Sequence, residues 1–279
     1  MWEKQFVKTD RGQFEIFVQG EGEPLCITHL YSAFNELGNY LADLFVKNFK
    51  VYLINLKEAG NSCKVEHEEE LSMSETAKDL EAIRSALHYE KWSFGGHSTG
   101  GMLGLVYATM FPESLTKLIV GGASSSYEYG FHKDSMYCSK SPLNERIREI
   151  LTIIKSPNAT MEEKKNANKE WTNLSLYNVD RREEYFEKPS SGMVVQRRLD
   201  YYSFFDLPNY HINNELTRVE IPTIVYCGRY DAQCPLVFSE EIDACLINSK
   251  LYIFENSNHY PFIEEKEKFY EMVSDFSKL

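Results

Sequence analysis

Trp92-Ser93-Phe94-Gly95-Gly96-His97-Ser98-Thr99-Gly100-Gly101 runs an apolar strand directly into a glycine-rich turn. An apolar segment from Met102 to Met110 follows and stops before Pro112, as a helix does ahead of a residue that cannot continue it. Within the turn, Gly96-x-Ser98-x-Gly100 has the spacing of a nucleophile elbow. In that motif a serine sits on a sharp strand-to-helix turn, and its neighbours must be small for the turn to close. At average Gly and Ser frequencies of ~7%, the bare pattern arises by chance about once in ten chains of this length. Its position between an apolar strand and an apolar helix is what gives it chemical meaning. Ser98 is the candidate nucleophile.

A serine hydroxyl is a poor nucleophile until a base takes its proton, and the base needs a carboxylate to orient it. On a sheet of this kind the partners follow in the order serine, acid, histidine, each just beyond a strand end. The apolar run ending at Cys227 leads into Gly228-Arg229-Tyr230-Asp231, and the run ending at Phe254 leads into Glu255-Asn256-Ser257-Asn258-His259. Taken alone, Asp231 reads equally as a turn residue and His259 as a satisfied loop histidine. Taken with Ser98, both stand where the chemistry requires them. His67, His88, His132 and His211 have no such setting.

Outward from this centre the chain alternates strands and helices. Phe14, Ile16 and Val18 alternate along a hairpin strand after the turn Asp10-Arg11-Gly12. Short apolar strands follow at Pro24-Leu25-Cys26-Ile27-Thr28 and Val51-Tyr52-Leu53-Ile54-Asn55, with Leu37, Leu41, Leu44 and Phe45 at helical spacing between them. Ser72-Met73-Ser74-Glu75 has the form of a capping box and opens a helix with the stripe Leu80, Ile83, Leu87. Leu118-Ile119-Val120 is another buried strand. This rhythm predicts a mostly parallel sheet covered on both faces. It breaks between 127 and 215, where the patterns are helical and no strand is predicted, and a last helix runs from Ile263 to Phe276. The expected organisation is a core of 1–126 and 216–279 with a helical cap, 127–215, inserted.

The balance of 30 Lys+Arg against 42 Asp+Glu, net charge −12, argues against nucleic acid or an anionic membrane surface as a main partner. No apolar run reaches the ~18 residues of a spanning helix. The first residues, Met1-Trp2-Glu3-Lys4-Gln5, lack the apolar core of a signal peptide, so a cytoplasmic protein is expected. Cys26, Cys63, Cys138, Cys227, Cys234 and Cys245 show neither disulfide-framework nor metal-ligand spacing and read as small buried hydrophobes.

Over nearly its full length the chain resembles the α/β-hydrolase superfamily, most closely the capped branch that holds proline iminopeptidases, small esterases and lactonases. Gly96-His97-Ser98-Thr99-Gly100-Gly101, Phe111-Pro112-Glu113, Gly228-Arg229-Tyr230-Asp231 and Asn258-His259 carry the likeness. The resemblance implies an eight-stranded sheet and a Ser98-Asp231-His259 triad. Ser98 would be the nucleophile, His259 the general base and then acid, and Asp231 its orienter, with no cofactor and a small-molecule substrate. By position, the backbone N–H groups of Tyr31 and Thr99 would form the oxyanion hole, each worth ~3 kcal/mol to the transition state.

Two departures from the family pattern stand out. Leu30 replaces the glycine usual after the histidine at His29. The loop Asn55-Leu56-Lys57-Glu58-Ala59-Gly60-Asn61-Ser62 keeps only Gly60 and Ser62 of the common Asp-x-Arg-Gly-x-Gly-x-Ser. The inserted block is rich in aromatics (Tyr127, Tyr129, Phe131, Tyr137, Trp171, Tyr177, Tyr185, Phe186, Tyr201, Tyr202, Phe204, Phe205), which suit either an apolar pocket or the block's own core. Peptidases of the branch recognise a substrate amine with cap carboxylates, for which Glu145, Glu149, Glu170, Asp180, Glu183 and Glu184 are available. The expected activity is hydrolysis of a small ester, lactone or amide. The alternatives are an aminopeptidase acting on N-terminal proline and a non-catalytic binding protein on the same fold.

Overall fold

The computed structural model describes residues 1–279. Eight strands form one sheet: β1 (Glu3–Thr9), β2 (Gly12–Gln19), β3 (Glu23–Ile27), β4 (Phe49–Ile54), β5 (Trp92–His97), β6 (Leu115–Gly121), β7 (Thr223–Gly228) and β8 (Ser249–Phe254). Their spatial order is β1-β2-β4-β3-β5-β6-β7-β8. Only β2 runs against its neighbours; every other adjacent pair is parallel. Parallel neighbours need crossovers, and α1 (Met73–Ala86) and α2 (Thr99–Met110) supply two of them.

Period-two alternation along the strands feeds two separate cores. Phe14, Ile16, Cys26, Ile54, Val120 and Val225 face Leu80 and Ile83 of α1 and Leu103 of α2. Phe17, Leu25, Ile27, Val51, Leu53, Ile119 and Ile224 face Phe269, Met272, Val273 and Phe276 of the C-terminal helix. Each fully buried apolar side chain of this size contributes roughly 1.5–3 kcal/mol, which is why both sheet faces must be covered.

Three local expectations need correction. The spacing at Leu37–Phe45 forms only a 3₁₀ turn at Ala42–Leu44, and Leu37 is exposed. Ser72 does cap α1, accepting from the Glu75 N–H at 3.2 Å, but the reciprocal half of the box is missing. The Glu75 carboxylate is taken instead by Arg11 and Lys78. The last helix is split into Pro261–Glu264 and Lys266–Ser277, with Glu265 in non-helical backbone (φ −124°, ψ 53°) between them.

Between β6 and β7 the chain adds no strand to the main sheet. This segment holds α3 (Asn144–Lys155), α4 (Met161–Leu174), α5 (Gln196–Tyr201) and shorter turns. It leaves and returns at one point, where Tyr127 N donates to Tyr210 O (2.7 Å) and Ile212 N to Ser125 O (2.9 Å). It does contain one small strand: Met193–Val194 pairs antiparallel with Ser32–Ala33. Met193-Val194-Val195 is β-prone, and the backbone of residues 32–33, outside the main sheet, gives it a partner. No helix is long and apolar enough to cross a membrane. Four of the six cysteines are buried, Cys63 and Cys245 are half-buried, and none is paired.

Candidate active site

Ser98 lies between the last residue of β5 and the first of α2, at φ +55° and ψ −127°. A non-glycine residue there stores about 1–3 kcal/mol of strain, which the surroundings must hold. Ser98 N donates to Gly121 O at 2.8 Å, tying the turn to β6. A Cβ at Gly96 would lie 2.2 Å from Gly100 O, and one at Gly100 would lie 2.5 Å from Thr28 O. The two glycines are thus required by close approach, and the first turn of α2 rests on the end of β3.

Asp231 and His259 meet as the strand ends predicted. His259 Nδ1 is 2.8 Å from Asp231 Oδ2, with Asp231 4% and His259 2% exposed. The other carboxylate oxygen accepts Gln233 N (2.9 Å) and Cys234 N (2.8 Å), so the acid is fixed on both sides. Asn258 Oδ1 accepts Ala232 N at 2.8 Å and locks the acid loop to the histidine loop. His97, the residue before Ser98, has its ring centroid 4.5 Å from that of His259. It also stacks on Tyr226 and bonds the Tyr226 hydroxyl at 3.2 Å. Burial, then the neighbouring His259 and His29, push His97 well below the ordinary imidazole range, so it stays neutral under His259.

The loop after β3 closes the other side. His29 Nε2 bonds Thr99 Oγ1 at 3.1 Å and His29 Nδ1 bonds Ser32 Oγ at 2.9 Å. Burial, and after it the neighbouring His259, bring His29 down to about 3, which makes it a neutral hydrogen-bonding bracket. Tyr31 N–H has no acceptor in the protein, and Thr99, first in its helix, has none within that helix. Leu30 is 1% exposed and sits in a core, without the positive φ that a glycine would be needed for. The loop after β4 acts as a brace. Asn55 Oδ1 accepts Phe34 N at 2.7 Å, and Ser62 Oγ donates to Asn55 O at 2.8 Å.

Several residues that connect the site to the inserted segment carried no sequence motif. Ser175 O accepts the backbone N–H of His259 (3.1 Å), and Ser175 Oγ accepts from Gln233 Nε2 (2.9 Å). Tyr137 Oη donates to Gln233 Oε1 at 2.8 Å. The aromatics divide by environment. Tyr129, Tyr185 and Tyr202 are buried, whereas Phe131, Tyr177, Phe204 and Phe205 face outward. Of the insert carboxylates, the six candidates Glu145, Glu149, Glu170, Asp180, Glu183 and Glu184 lie on the surface or at its edge, and Glu149, Glu170, Glu183 and Glu184 are paired with arginine. No cluster of three or more His, Cys, Asp or Glu is arranged to hold a metal.

A family model described as the alpha/beta hydrolase fold matches residues 16–266. The chain belongs to the α/β-hydrolase family. It is similar to an alpha/beta fold family hydrolase from Bacillus anthracis str. Sterne, with TM-score 0.97, 48% identity and 99% of each chain covered. A proline iminopeptidase from Heyndrickxia coagulans is 25% identical, over 71% of this chain and 71% of that protein. An esterase from Exiguobacterium antarcticum shares the fold at TM-score 0.71 and 20% identity, covering 99% of this chain and 100% of that one.

Proposed function

We propose that this α/β hydrolase is a serine hydrolase that cleaves a small ester, lactone or neutral amide through an acyl-enzyme on Ser98. The observation that carries the reading is the buried 2.8 Å contact between His259 Nδ1 and Asp231 Oδ2, set beside a serine held at φ +55°. Asp231 holds the imidazole so that Nε2 is free to take the Ser98 Oγ proton as Oγ attacks the carbonyl carbon. The carbonyl electron pair moves to oxygen, where the Tyr31 and Thr99 N–H groups receive it. Collapse expels the alcohol, which takes the proton from His259. Water then gives a proton to His259, attacks the acyl carbon and releases the acid, returning the proton to Ser98. In this reading 1–126 and 216–279 form the catalytic core and 127–215 is the cap. No cofactor takes part.

The iminopeptidase alternative needs an anionic subsite for the substrate amine. The six insert carboxylates that the sequence offered for this role, Glu145, Glu149, Glu170, Asp180, Glu183 and Glu184, lie on the surface or at its edge, four of them paired with arginine, which favours an uncharged acyl group. The test is Ser98→Ala with a fluorophosphonate probe and a panel of p-nitrophenyl esters, lactones and proline amides. Wild type should be labelled on Ser98, and the alanine variant should fold and lose nearly all turnover. An adduct on another serine, or full activity in the variant, would overturn the assignment and favour a binding protein. Preference for proline amides would move it to the peptidase reading.

A further inference from the structure

Arg198 of α5 is 1% exposed and forms no ion pair within 4 Å, yet each nitrogen of its guanidinium donates a hydrogen bond into the core. Nε donates to the carbonyl oxygen of Leu30, Nη1 to Lys57 O at 3.2 Å, and Nη2 to Thr76 Oγ1 at 2.8 Å. Burial lowers the guanidinium only to about 10, so it is charged at neutral pH. Burying a cation without a contacting carboxylate costs several kcal/mol, and a methionine or leucine would serve packing alone at least as well. The cation therefore has a use beyond filling space.

Its position identifies that use. The Leu30 carbonyl and the Tyr31 N–H are the two ends of one planar amide. A charged donor on the carbonyl fixes the plane and draws electron density toward oxygen, leaving the N–H a stronger donor. The next peptide is pinned from the same side, since Tyr31 O accepts Val195 N at 2.8 Å.

Building on the serine-hydrolase reading above, we propose that Arg198 is a positioning residue of the oxyanion hole, acting through the Leu30–Tyr31 amide. This gives a reason for leucine at the glycine position. The amide is oriented by a cation reaching in from the insert, and Leu30 adds its side chain to the core.

The inference separates from a packing role by substrate chemistry. A thionoester places sulfur where the oxyanion forms, and sulfur is the weaker hydrogen-bond acceptor. Loss of the hole's donor strength therefore slows an oxygen ester far more than its thiono counterpart. The experiment measures kcat and KM of wild type, Arg198→Lys and Thr76→Val with a matched p-nitrophenyl ester and thionoester. Arg198→Lys should lower kcat for the oxygen ester roughly ten- to hundredfold with little change in KM, and for the thionoester less than about threefold. Thr76→Val releases one anchor of the guanidinium and leaves its charge, so it should shift the same ratio in the same direction by less. Equal loss on both substrates, or a wild-type ratio in a folded Arg198→Lys, overturns the proposal. If the lysine variant does not fold, an unchanged ratio in Thr76→Val does so. A wild type labelled on Ser98 but indifferent to sulfur would remove the oxyanion-hole reading and this proposal with it. Absence of Ser98 labelling would remove the serine mechanism first.

Discussion

Glu264 Oε2 accepts the backbone N–H of Asn258 at 2.8 Å, one residue before His259. Its other oxygen accepts Tyr177 N at 2.6 Å and Asn178 N at 3.4 Å. One buried carboxylate thus joins the histidine loop to the inserted segment. Glutamine can supply only one accepting oxygen, and its amide nitrogen would oppose a backbone N–H. Glu264→Gln should therefore cost about 1–3 kcal/mol and lower kcat by loosening His259, with little effect on KM. Denaturant unfolding together with steady-state kinetics checks this; unchanged stability and kcat would show that the clamp is dispensable.

Glu15 predicts the acid limb of stability. Burial pushes its carboxyl up, but Lys4, the Asn61 backbone and side chain, and Asn55 together bring it down to about 2. A depressed folded pKa gives stability that is full above the unfolded value of ~4.3 and is lost as pH falls through about 2. The contribution is about 2–3 kcal/mol, since Glu15 is 2% exposed. Glu15→Gln should be less stable than wild type at pH 6, with the gap closing toward pH 2. Urea unfolding across that range measures it, and a constant gap would show that the charge is not the cause.

Asp206 carries the opposite sign. Burial raises it to about 6, against the Met73 N–H and the Arg198 charge, which both lower it. The folded state then binds its proton more tightly than the unfolded chain, so stability falls as pH rises from about 4 to 6. Discounted for partial solvent contact, the penalty is about 1–2 kcal/mol. Asp206→Asn keeps an acceptor for Met73 N and should match wild type near pH 4 and exceed it at pH 8. A loss of stability at pH 8 would mean that the Asp206 charge supports Arg198 more than burial penalises it.

Among the insert aromatics, Tyr202 should tune selectivity and Phe205 should not. The Tyr202 ring lies 5.9 Å from that of Tyr31, and its hydroxyl bonds Tyr129 at 2.9 Å. Phe205 is 60% exposed. Tyr202→Leu should change relative kcat/KM across acyl chain lengths by roughly tenfold or more, whereas Phe205→Ala should leave the preference within about twofold. Esters of two and eight acyl carbons provide the measurement. Equal preference in both variants would reduce the insert aromatics to structural filling.

The sequence by itself determined the sheet, its parallel character, and the positions of Ser98, Asp231 and His259. Those features are local: an apolar strand, a glycine-permitted turn and a polar residue just past a strand end are each written in contiguous residues. The helix expected from Leu37, Leu41, Leu44 and Phe45 failed because apolar spacing does not fix backbone geometry: Leu41, Leu44 and Phe45 reach the core from a 3₁₀ turn and its flanks, and Leu37 stays exposed. Tertiary structure alone decided what braces His259 and the Leu30–Tyr31 amide. Arg198 meets Leu30 across 168 positions, and Glu264 meets Tyr177 across 87. An arginine on a charged helix and a glutamate in a C-terminal one read in sequence as solvated surface. Only the packing of the insert on the core strips their water and leaves backbone groups, with the Thr76 hydroxyl for Arg198, as the partners that keep them there.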